Sequence, residues 1–208
     1  MTQPAAQVRS PRGGRGLGQT AAVNGFDGAE YQARFDELAR RGMDVHGEAT
    51  LVRSFEPRSV LDAGCGTGRV AIELSRHGVE VVGVDVDCSM IDEARRRAPE
   101  LDWAEADLAH LSLRRTFDLV VLAGNVLLFT RPGTEGAVTA ACAGHVAAGG
   151  VLVAGFQLGR GVGLEEYDAH CEAAGLRLEE RWATWDREQF APDGDYAVSV
   201  HRRDLAPR

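Results

Sequence analysis

Apolar residues in this chain are grouped into short runs that alternate with segments of helical periodicity. The runs that begin at Val60, Val79, Phe117 and Val151 are short and largely apolar, which is typical of strands covered on both faces. Between these runs, apolar residues recur every three or four positions, as on the buried face of an amphipathic helix. Parallel strands of one sheet need a crossover between them, so the alternation predicts a parallel sheet with helices on both faces.

The pattern changes toward the end of the chain. Residues 164–174 have the spacing of another amphipathic helix, and residues 176–182 and 196–201 alternate apolar and polar positions. Alternation with period two predicts strands with one polar face, and we expect these two strands to form a terminal hairpin around a long loop. Before them, residues 132–147 are expected to form one alanine-rich helix that ends ahead of a turn at Gly149 and Gly150.

Two segments precede the first predicted strand. Residues 1–25 are polar and contain the arginine–glycine sequence RGGRG, which is typical of a disordered tail, although such segments also bind nucleic acids. Residues 28–41 have helical spacing, and residues 49–55 predict a shorter helix closed by Pro57. We therefore divide the chain into a disordered tail at 1–25, a helical segment at 26–57 and one α/β domain at 58–208.

A glycine-rich turn follows the first predicted strand. Gly64, Gly66 and Gly68 alternate with other residues, and an amphipathic helix follows at once. A strand that enters a helix through such a turn directs backbone N–H groups and the positive end of the helix at a ligand. The glycines permit a tight turn, contact between backbone and ligand, and close packing of the helix on the strand.

Acidic or polar residues stand at or just beyond the ends of four predicted strands, at Asp62, Asp85, Asp107 and Asn125. Ligand sites in sheets of this type lie at the carboxyl ends of the strands, so we expect these side chains at one edge of the sheet. Asp85 follows the first glycine by about 20 residues, the spacing at which a carboxylate accepts hydrogen bonds from two ribose hydroxyls. The turn and this carboxylate together predict a nucleotide-like cofactor.

Composition narrows the classes of function. With 208 residues, 44% of them hydrophobic, the chain is long enough for one domain with a substantial core. Its net charge of −8 argues against a nucleic-acid partner, and all 23 basic residues are arginine, so no lysine is available for Schiff-base chemistry. The four cysteines lack C-x-x-C pairing and no apolar run of about 20 residues occurs. We therefore expect no metal site and no membrane span, and we assign the protein to the cytoplasm.

These motifs resemble those of a known family. D-x-G-x-G-x-G from Asp62 to Gly68, G-V-D at 83–85 and E-A-D-L at 105–108 are similar to the class I S-adenosylmethionine-dependent methyltransferases, best over residues 58–156. The resemblance implies S-adenosylmethionine as cofactor and S-adenosylhomocysteine as product. It also implies a Rossmann-like, doubly wound, mostly parallel seven-stranded sheet ending in an antiparallel hairpin, a small-molecule acceptor, and a monomer or homodimer.

Several positions of the family's cofactor site have matching residues here. The resemblance implies that the ribose contacts Asp85, that adenine lies against Val86, and that Asp107 and the backbone N–H of Leu108 bind its polar edge. The alternative for the two carboxylates is that each one only caps a turn. Further cofactor contacts are implied for residues of the turn: Asp62, Gly64, Cys65, Gly66 and Gly68.

Three other residues have two interpretations each. In the family, a helical pair before the first strand often covers the cofactor as a lid, so Tyr31 would reach the methionine carboxylate and His46 would face the methyl group as a general base. Alternatively, Tyr31 is half-buried packing and His46 a loop or cap residue. Asn125 would orient the cofactor amine or a substrate group, or else cap the next helix. The N/D-P-P-Y signature of methylation on bases or glutamine is absent.

The function that the sequence favours is methyl transfer to a small molecule by in-line displacement. A nicotinamide-dependent oxidoreductase is the alternative enzyme class. Arg69 in place of the third fingerprint glycine and the absence of a Tyr-x-x-x-Lys pair count against it. A third possibility is a non-catalytic protein that keeps the cofactor pocket.

Overall fold

A seven-stranded sheet forms the centre of residues 27–205, the part of the chain that the computed structural model describes. Its strands are β1 (Ser59–Ala63), β2 (Glu80–Asp85), β3 (Asp102–Glu105), β4 (Phe117–Leu122), β5 (Val146–Gln157), β6 (Leu176–Trp182) and β7 (Tyr196–Arg203). Their order across the sheet is β3-β2-β1-β4-β5-β7-β6. The first five are parallel, and β7 pairs antiparallel with β5 and with β6. The predicted fold class, including the terminal hairpin, is confirmed.

Helices lie on both faces of this sheet. They are α1 (Gly28–Arg40), α2 (Gly47–Arg53), α3 (Arg69–Arg76), α4 (Cys88–Arg97), α5 (Val126–Phe129), α6 (Glu135–Gly144) and α7 (Leu164–Ala173), with a short 3-10 turn at Leu108–His110. Neighbouring β4 residues point to opposite faces: Val121 packs with α2 and α3, whereas Val120 packs with α6 and α7. None of the helices between residues 27 and 205 is long and apolar enough to cross a membrane.

The helix expected at residues 132–147 is shorter than predicted. The helix that forms there, α6, covers only Glu135–Gly144. The strand β5 already begins at Val146, which pairs with Phe117 of β4. The pairing register then shifts, so Gly149 and Gly150 lie inside β5 at an irregularity and not in a turn before it. Gly149 has a φ of +77°, which glycine adopts without a steric penalty. The two glycines interrupt the strand pattern, which is why they suggested a boundary.

The helical segment before β1 is fixed to the body by caps and close contacts. The Asp27 carboxylate caps α1 by accepting from two backbone N–H groups, and Asp87 caps α4 in the same way. Gly28 packs directly on α4, because a Cβ atom there would lie 2.5 Å from the Ser89 carbonyl oxygen. Thus α1 lies against the start of α4, beside the carboxyl end of β2. The predicted tail at 1–25 lies outside the described residues.

Candidate functional site

The glycine turn joins β1 to α3 between two bulky neighbours. A Cβ atom at Gly64 would lie 2.5 Å from Val126, and one at Gly68 would lie 2.4 Å from the Trp103 ring. Both glycines also have positive φ, +80° and +78°, so a side chain at either position would meet both a clash and backbone strain. A Cβ at Gly66 would have only an ordinary contact, at 3.7 Å. Two glycines therefore permit packing, and the third leaves backbone that a ligand can approach.

Asp85 ends β2 and fixes the turn by hydrogen bonds. Its Oδ2 accepts from the Gly66 N–H at 2.8 Å, and its Oδ1 accepts from the Asp87 N–H at 3.0 Å. Burial raises the pKa of this carboxyl, and the two backbone hydrogen bonds oppose the rise. The carboxylate thus bridges the glycine turn and the start of α4. Asp85 therefore caps the turn, and the ribose contact stays a prediction.

A cavity of about 30 Å³ lies between the turn and α1, and four of the predicted cofactor residues line it: Tyr31, Asp62, Cys65 and Gly66. Asp62 is 1% exposed, and its Oδ2 accepts from the Ala71 N–H at 3.1 Å. Burial raises the pKa of its carboxyl to about 7, against the opposing effects of that hydrogen bond and of nearby Arg69. The cavity therefore contains a buried carboxyl that titrates near neutral pH.

Arg69 also lines this cavity and connects it to α2. Its guanidinium forms a two-pronged ion pair with Glu48, with N–O distances of 2.8 and 2.6 Å, and donates to the Val45 carbonyl. It also lies 4.7 Å from the centre of the Phe35 ring. Side-chain exposure is 13% for Arg69 and 17% for Glu48. Sequence reasoning treated Arg69 only as a departure from a fingerprint, although a cation beside a buried turn needs an acidic partner.

Contacts between α1 and the turn converge on Thr67. The Thr67 hydroxyl donates to Gln32 of α1 at 2.7 Å, and the Thr67 carbonyl accepts from Arg97 of α4 at 2.7 Å. Tyr31, next to Gln32, lies over Gly66 in the cavity, and burial raises the pKa of its phenol. The helical segment before β1 therefore packs on the turn, and the contact of Tyr31 with the cofactor carboxylate stays a prediction.

His46, the predicted general base, lies outside the cavity. It precedes α2, and its ring Nδ1 is 3.8 Å from Oε2 of Glu73, a residue one turn into α3 beyond Arg69. The His46 side chain does not line the cavity. The structure therefore does not bring the predicted base to the turn, because the Arg69–Glu48 pair holds this part of the segment against the side of α3. The cap interpretation fits better, since His46 takes the N-cap position of α2, although without a side-chain hydrogen bond.

The predicted adenine-binding residues lie past β2 and β3. Val86 is 61% exposed at the end of β2, and Leu108 has a buried side chain. Asp107 caps the 3-10 turn by accepting from the Ala109 N–H at 2.9 Å, and this hydrogen bond lowers the pKa of its carboxyl. Asp107 therefore caps this turn. Its second oxygen lies 3.4 Å from the His110 ring, and the adenine contact stays a prediction.

Asn125 connects the ends of β4 and β5. Its Oδ1 accepts from the Gln157 N–H at 2.7 Å, and its own N–H donates to the Gly155 carbonyl at 3.2 Å. It has a φ of +69° and precedes α5 without a side-chain cap. Asn125 thus occupies the N-cap position of α5, as His46 does for α2, but its side-chain oxygen accepts from the strand end and does not cap the helix. A contact with the cofactor amine or a substrate stays a prediction.

The fold and the site define a class of protein. A parallel sheet with a terminal antiparallel hairpin, and a ligand-facing glycine turn at the end of its first strand, describe a Rossmann-like cofactor-binding domain. Residues 60–150 match the family described as "Methyltransferase domain". The crystal structure of a TehB-like S-adenosylmethionine-dependent methyltransferase from Corynebacterium glutamicum is 36% identical with a TM-score of 0.80, covering 85% of this chain and 97% of that one. The chain therefore belongs to the class I S-adenosylmethionine-dependent methyltransferases.

Curated relatives match about half of this chain. A magnesium-protoporphyrin O-methyltransferase of Rhodobacter capsulatus is 37% identical over 111 residues, 50% of this chain and 49% of the relative. A dTDP-3-amino-3,4,6-trideoxy-alpha-D-glucopyranose N,N-dimethyltransferase of Streptomyces venezuelae is 32% identical over 126 residues, 59% of this chain and 52% of the relative. The chain thus spans about half the length of these relatives.

Proposed function

We propose that this protein binds S-adenosylmethionine and transfers its methyl group to a small-molecule acceptor. The observation that carries the proposal is the row of carboxylates at one edge of the sheet: Asp62 in β1, Asp85 at the end of β2 and Asp107 beyond β3. They flank a turn whose backbone a ligand can approach at Gly66. S-adenosylmethionine, when bound, supplies a methyl group that its sulfonium already makes electrophilic.

The residues of the cavity suit a cofactor that carries positive charge. Asp62 is buried, accepts one hydrogen bond from a backbone N–H, and forms no ion pair with any residue in the range 27–205. An ionised carboxylate in such a place is costly without a cation. A bound ammonium group would stabilise its charged form, and we assign Asp62 to the amino group of the cofactor's aminoacyl part.

The remaining cofactor contacts follow the sheet edge. Asp85 accepts two hydrogen bonds from backbone N–H groups. Because a carboxylate can accept about four hydrogen bonds, Asp85 can also accept from ribose hydroxyls. Exposed Val86, the Asp107 carboxylate and the Leu108 backbone would bind adenine, and Asn125 stands where β4 ends. The turn contacts are assigned to Gly64, Cys65, Gly66 and Gly68, with Tyr31 covering them from α1.

The protein contributes to the reaction by positioning the acceptor and the cofactor and by excluding water. The segment at 26–57 packs over the turn through Tyr31 and through the Arg69–Glu48 pair, which suits a lid over the reacting groups. A general base at His46 is not part of the proposal, because that ring lies against Glu73 outside the cavity. Alignment of the acceptor with the methyl group therefore carries the reaction.

The class of methyl acceptor and the cellular compartment are proposed from the composition of the chain and from the names of its relatives. The relatives act, by their names, on a magnesium porphyrin and on an amino sugar, and a net charge of −8 does not suit a polyanion. A small-molecule acceptor agrees with both. All four cysteines are unpaired, which agrees with a reducing cytoplasm. We propose a monomer or a homodimer.

Calorimetry with S-adenosylhomocysteine and with NAD tests the cofactor. We expect S-adenosylhomocysteine to bind and NAD not to bind, and the opposite result would favour the oxidoreductase. Methyl transfer is then measured with labelled S-adenosylmethionine over a panel of phenols, amines, carboxylates and thiols. Tight binding of the cofactor without transfer to any member of a broad panel would favour a non-catalytic cofactor-binding protein.

A further inference from the structure

The loop that joins β6 to β7, residues 183–195, contacts the helix α2 at both of its ends. At the start of α2, a Cβ atom on Gly47 would lie 3.9 Å from the Cβ atom of Trp185, an ordinary packing distance. At the end of α2, Nη2 of Arg187 donates a hydrogen bond to the Ser54 hydroxyl oxygen at 2.6 Å. One loop near the end of the chain therefore fixes both termini of a helix that precedes the first strand.

The same loop is anchored on the sheet. A Cβ atom on Gly155 of β5 would clash with the Trp185 ring, so the absence of a side chain there lets the ring pack on the strand. Nε1 of Trp185 donates to the Tyr196 hydroxyl of β7 at 3.1 Å. Within the loop, the Ala183 N–H donates to the Glu188 carbonyl at 2.9 Å. The loop is therefore a firm support for its contacts with α2.

Arg187 makes three kinds of contact around the end of α2. Besides its hydrogen bond to Ser54, its guanidinium lies 5.7 Å from the centre of the Phe55 ring and 5.1 Å from that of the Trp182 ring. At these distances a cation is attracted to an aromatic face. The Ser54 hydroxyl donates its own proton to the Leu51 carbonyl at 2.6 Å, so its oxygen is oriented to accept. The guanidinium thus ties the loop to the residues that end α2.

Backbone strain lies on both sides of this contact. In the described range 27–205, three residues other than glycine have a positive φ: Glu56, Asn125 and Arg187. Glu56, with a φ of +52°, directly follows Phe55, and Arg187 itself has a φ of +62°. A side chain in this region of backbone space is costly, and such residues persist where the surrounding contacts hold them. The contact between loop and helix therefore holds two strained residues in place, and its opening would release that strain.

The contact restrains α2 without being part of the cavity at the glycine turn. The helix α2 belongs to the segment that packs on the turn, and its Glu48 pairs with Arg69, which lines the cavity. Ser54, Phe55 and Arg187 are not among the lining residues. The loop thus restrains the movement of the segment and does not touch a ligand bound at the turn.

We propose that the loop at 183–195 is a latch on α2, and that release of Arg187 from Ser54 and Phe55 lets the segment at 26–57 lift for exchange of the cofactor. This inference rests on the proposed function, because the segment covers the turn at which the cofactor is proposed to bind. The latch sets how fast the cofactor enters and leaves. It does not set the affinity, because its residues lie outside the cavity.

Hydrogen exchange and binding kinetics on the full chain test the latch. Arg187→Gly removes the guanidinium, and glycine adopts the same positive φ without strain, so the loop keeps its shape. The matched control Glu188→Ala changes the next side chain, which is exposed, and keeps the backbone hydrogen bond to Ala183. Without cofactor, amides of residues 47–55 should exchange about tenfold faster in Arg187→Gly than in wild type or in the control, as for loss of a hydrogen bond and two exposed cation–π contacts. Exchange in β4 should not change.

Stopped-flow fluorescence with S-adenosylhomocysteine gives the kinetic readout. We expect the association and dissociation rate constants of Arg187→Gly both to rise about tenfold, by the same factor as the opening of α2. The dissociation constant should then stay within about twofold of wild type, since both rate constants change together. Glu188→Ala should match the wild type in both rate constants.

The outcomes separate this inference from the proposed function. Unchanged exchange of residues 47–55 in Arg187→Gly would overturn the latch. Faster exchange there without faster association and dissociation of S-adenosylhomocysteine would overturn its role in cofactor exchange. Failure of the wild type to bind S-adenosylhomocysteine would contradict the proposed function and with it that role, whereas faster exchange in α2 would still support the latch itself. If thermal melting shows that Arg187→Gly does not fold, Ser54→Ala removes only the hydrogen bond, and the same quantities should then rise about threefold.

Discussion

Replacing the buried carboxyl of Asp62 by an amide should change how stability depends on pH. In the folded protein, burial raises the pKa of Asp62 from 3.8 to about 7. The folded protein therefore holds more protons than the unfolded chain between those two values, and its free energy of unfolding decreases as pH rises through this window. Asp62→Asn cannot ionise, and its side-chain oxygen still accepts from the Ala71 N–H. The variant should therefore lack this decrease.

The size of the effect follows from the two pKa values. At 1.36 kcal/mol for each pH unit, the interval from 3.8 to about 7 corresponds to about 4 kcal/mol. Asp62 is 1% exposed, so solvent screening removes little of this amount. For a chain of 150–250 residues, 1 kcal/mol corresponds to about 2–4 °C in melting temperature. Above neutral pH, Asp62→Asn should therefore melt about 8–16 °C higher than the wild type without cofactor, and the difference should vanish toward the acidic end of the window.

Thermal unfolding followed by circular dichroism between about pH 4 and pH 8 measures this difference. All other titrating groups are common to both proteins, so the difference curve isolates position 62. Affinity for S-adenosylhomocysteine gives a second readout: it should fall in the wild type as pH decreases below about 7, since the ammonium group prefers the ionised carboxylate, and this trend should be absent in Asp62→Asn. Parallel melting curves at all pH values would refute the assignment of a neutral, buried Asp62.

Four further outcomes follow. Asp85→Ala should weaken binding of S-adenosylhomocysteine in calorimetry by about 1.5–3 kcal/mol; unchanged affinity would remove Asp85 from the ribose site. Deletion of residues 1–25 should leave melting temperature and cofactor affinity within error, because so polar a segment gains little by ordering; a clear drop in melting temperature would show that it docks. His46→Ala should keep its methyl-transfer rate, since the ring lies against Glu73; loss of turnover with normal cofactor binding would restore it as a base. Hydrogen exchange should show added protection across residues 28–55 with S-adenosylhomocysteine bound, and no added protection would contradict a lid.

Local sequence signals predicted much of the fold because they act over a few residues. The alternation of apolar and polar positions over residues 176–182 and 196–201 needed no distant partner to predict the strands β6 and β7. The start of β5 was missed for the opposite reason. Val146 is a strand residue because Phe117, far away in sequence, pairs with it, and no neighbour in the sequence carries that information.

The candidate site shows the same difference between features that local sequence predicts and contacts between residues far apart in the chain. The common location of Asp62 and Asp85 at one edge of the sheet was predictable, because strand ends converge at one edge in any parallel sheet. The Arg69–Glu48 pair was not found, since its members are 21 residues apart on two different helices and neither periodicity nor spacing joins them. The pair also explains why His46 was misplaced. Once Glu48 is fixed on Arg69, the residue two positions earlier lies beside Glu73 of α3 and not over the turn.

The expected link between cofactor and lid has its physical basis at Thr67. This residue lies between Gly66 and Gly68, its hydroxyl donates to Gln32 of α1, and its carbonyl accepts from Arg97 of α4. A ligand that orders the backbone of the turn therefore also orders the hydroxyl donor that holds α1 and the carbonyl acceptor that holds α4. Because such coupling is reciprocal in free energy, contacts that hold α1 down must in turn raise cofactor affinity. We therefore expect the helical segment and the glycine turn to behave as one binding unit, although the sequence divides them at residue 57.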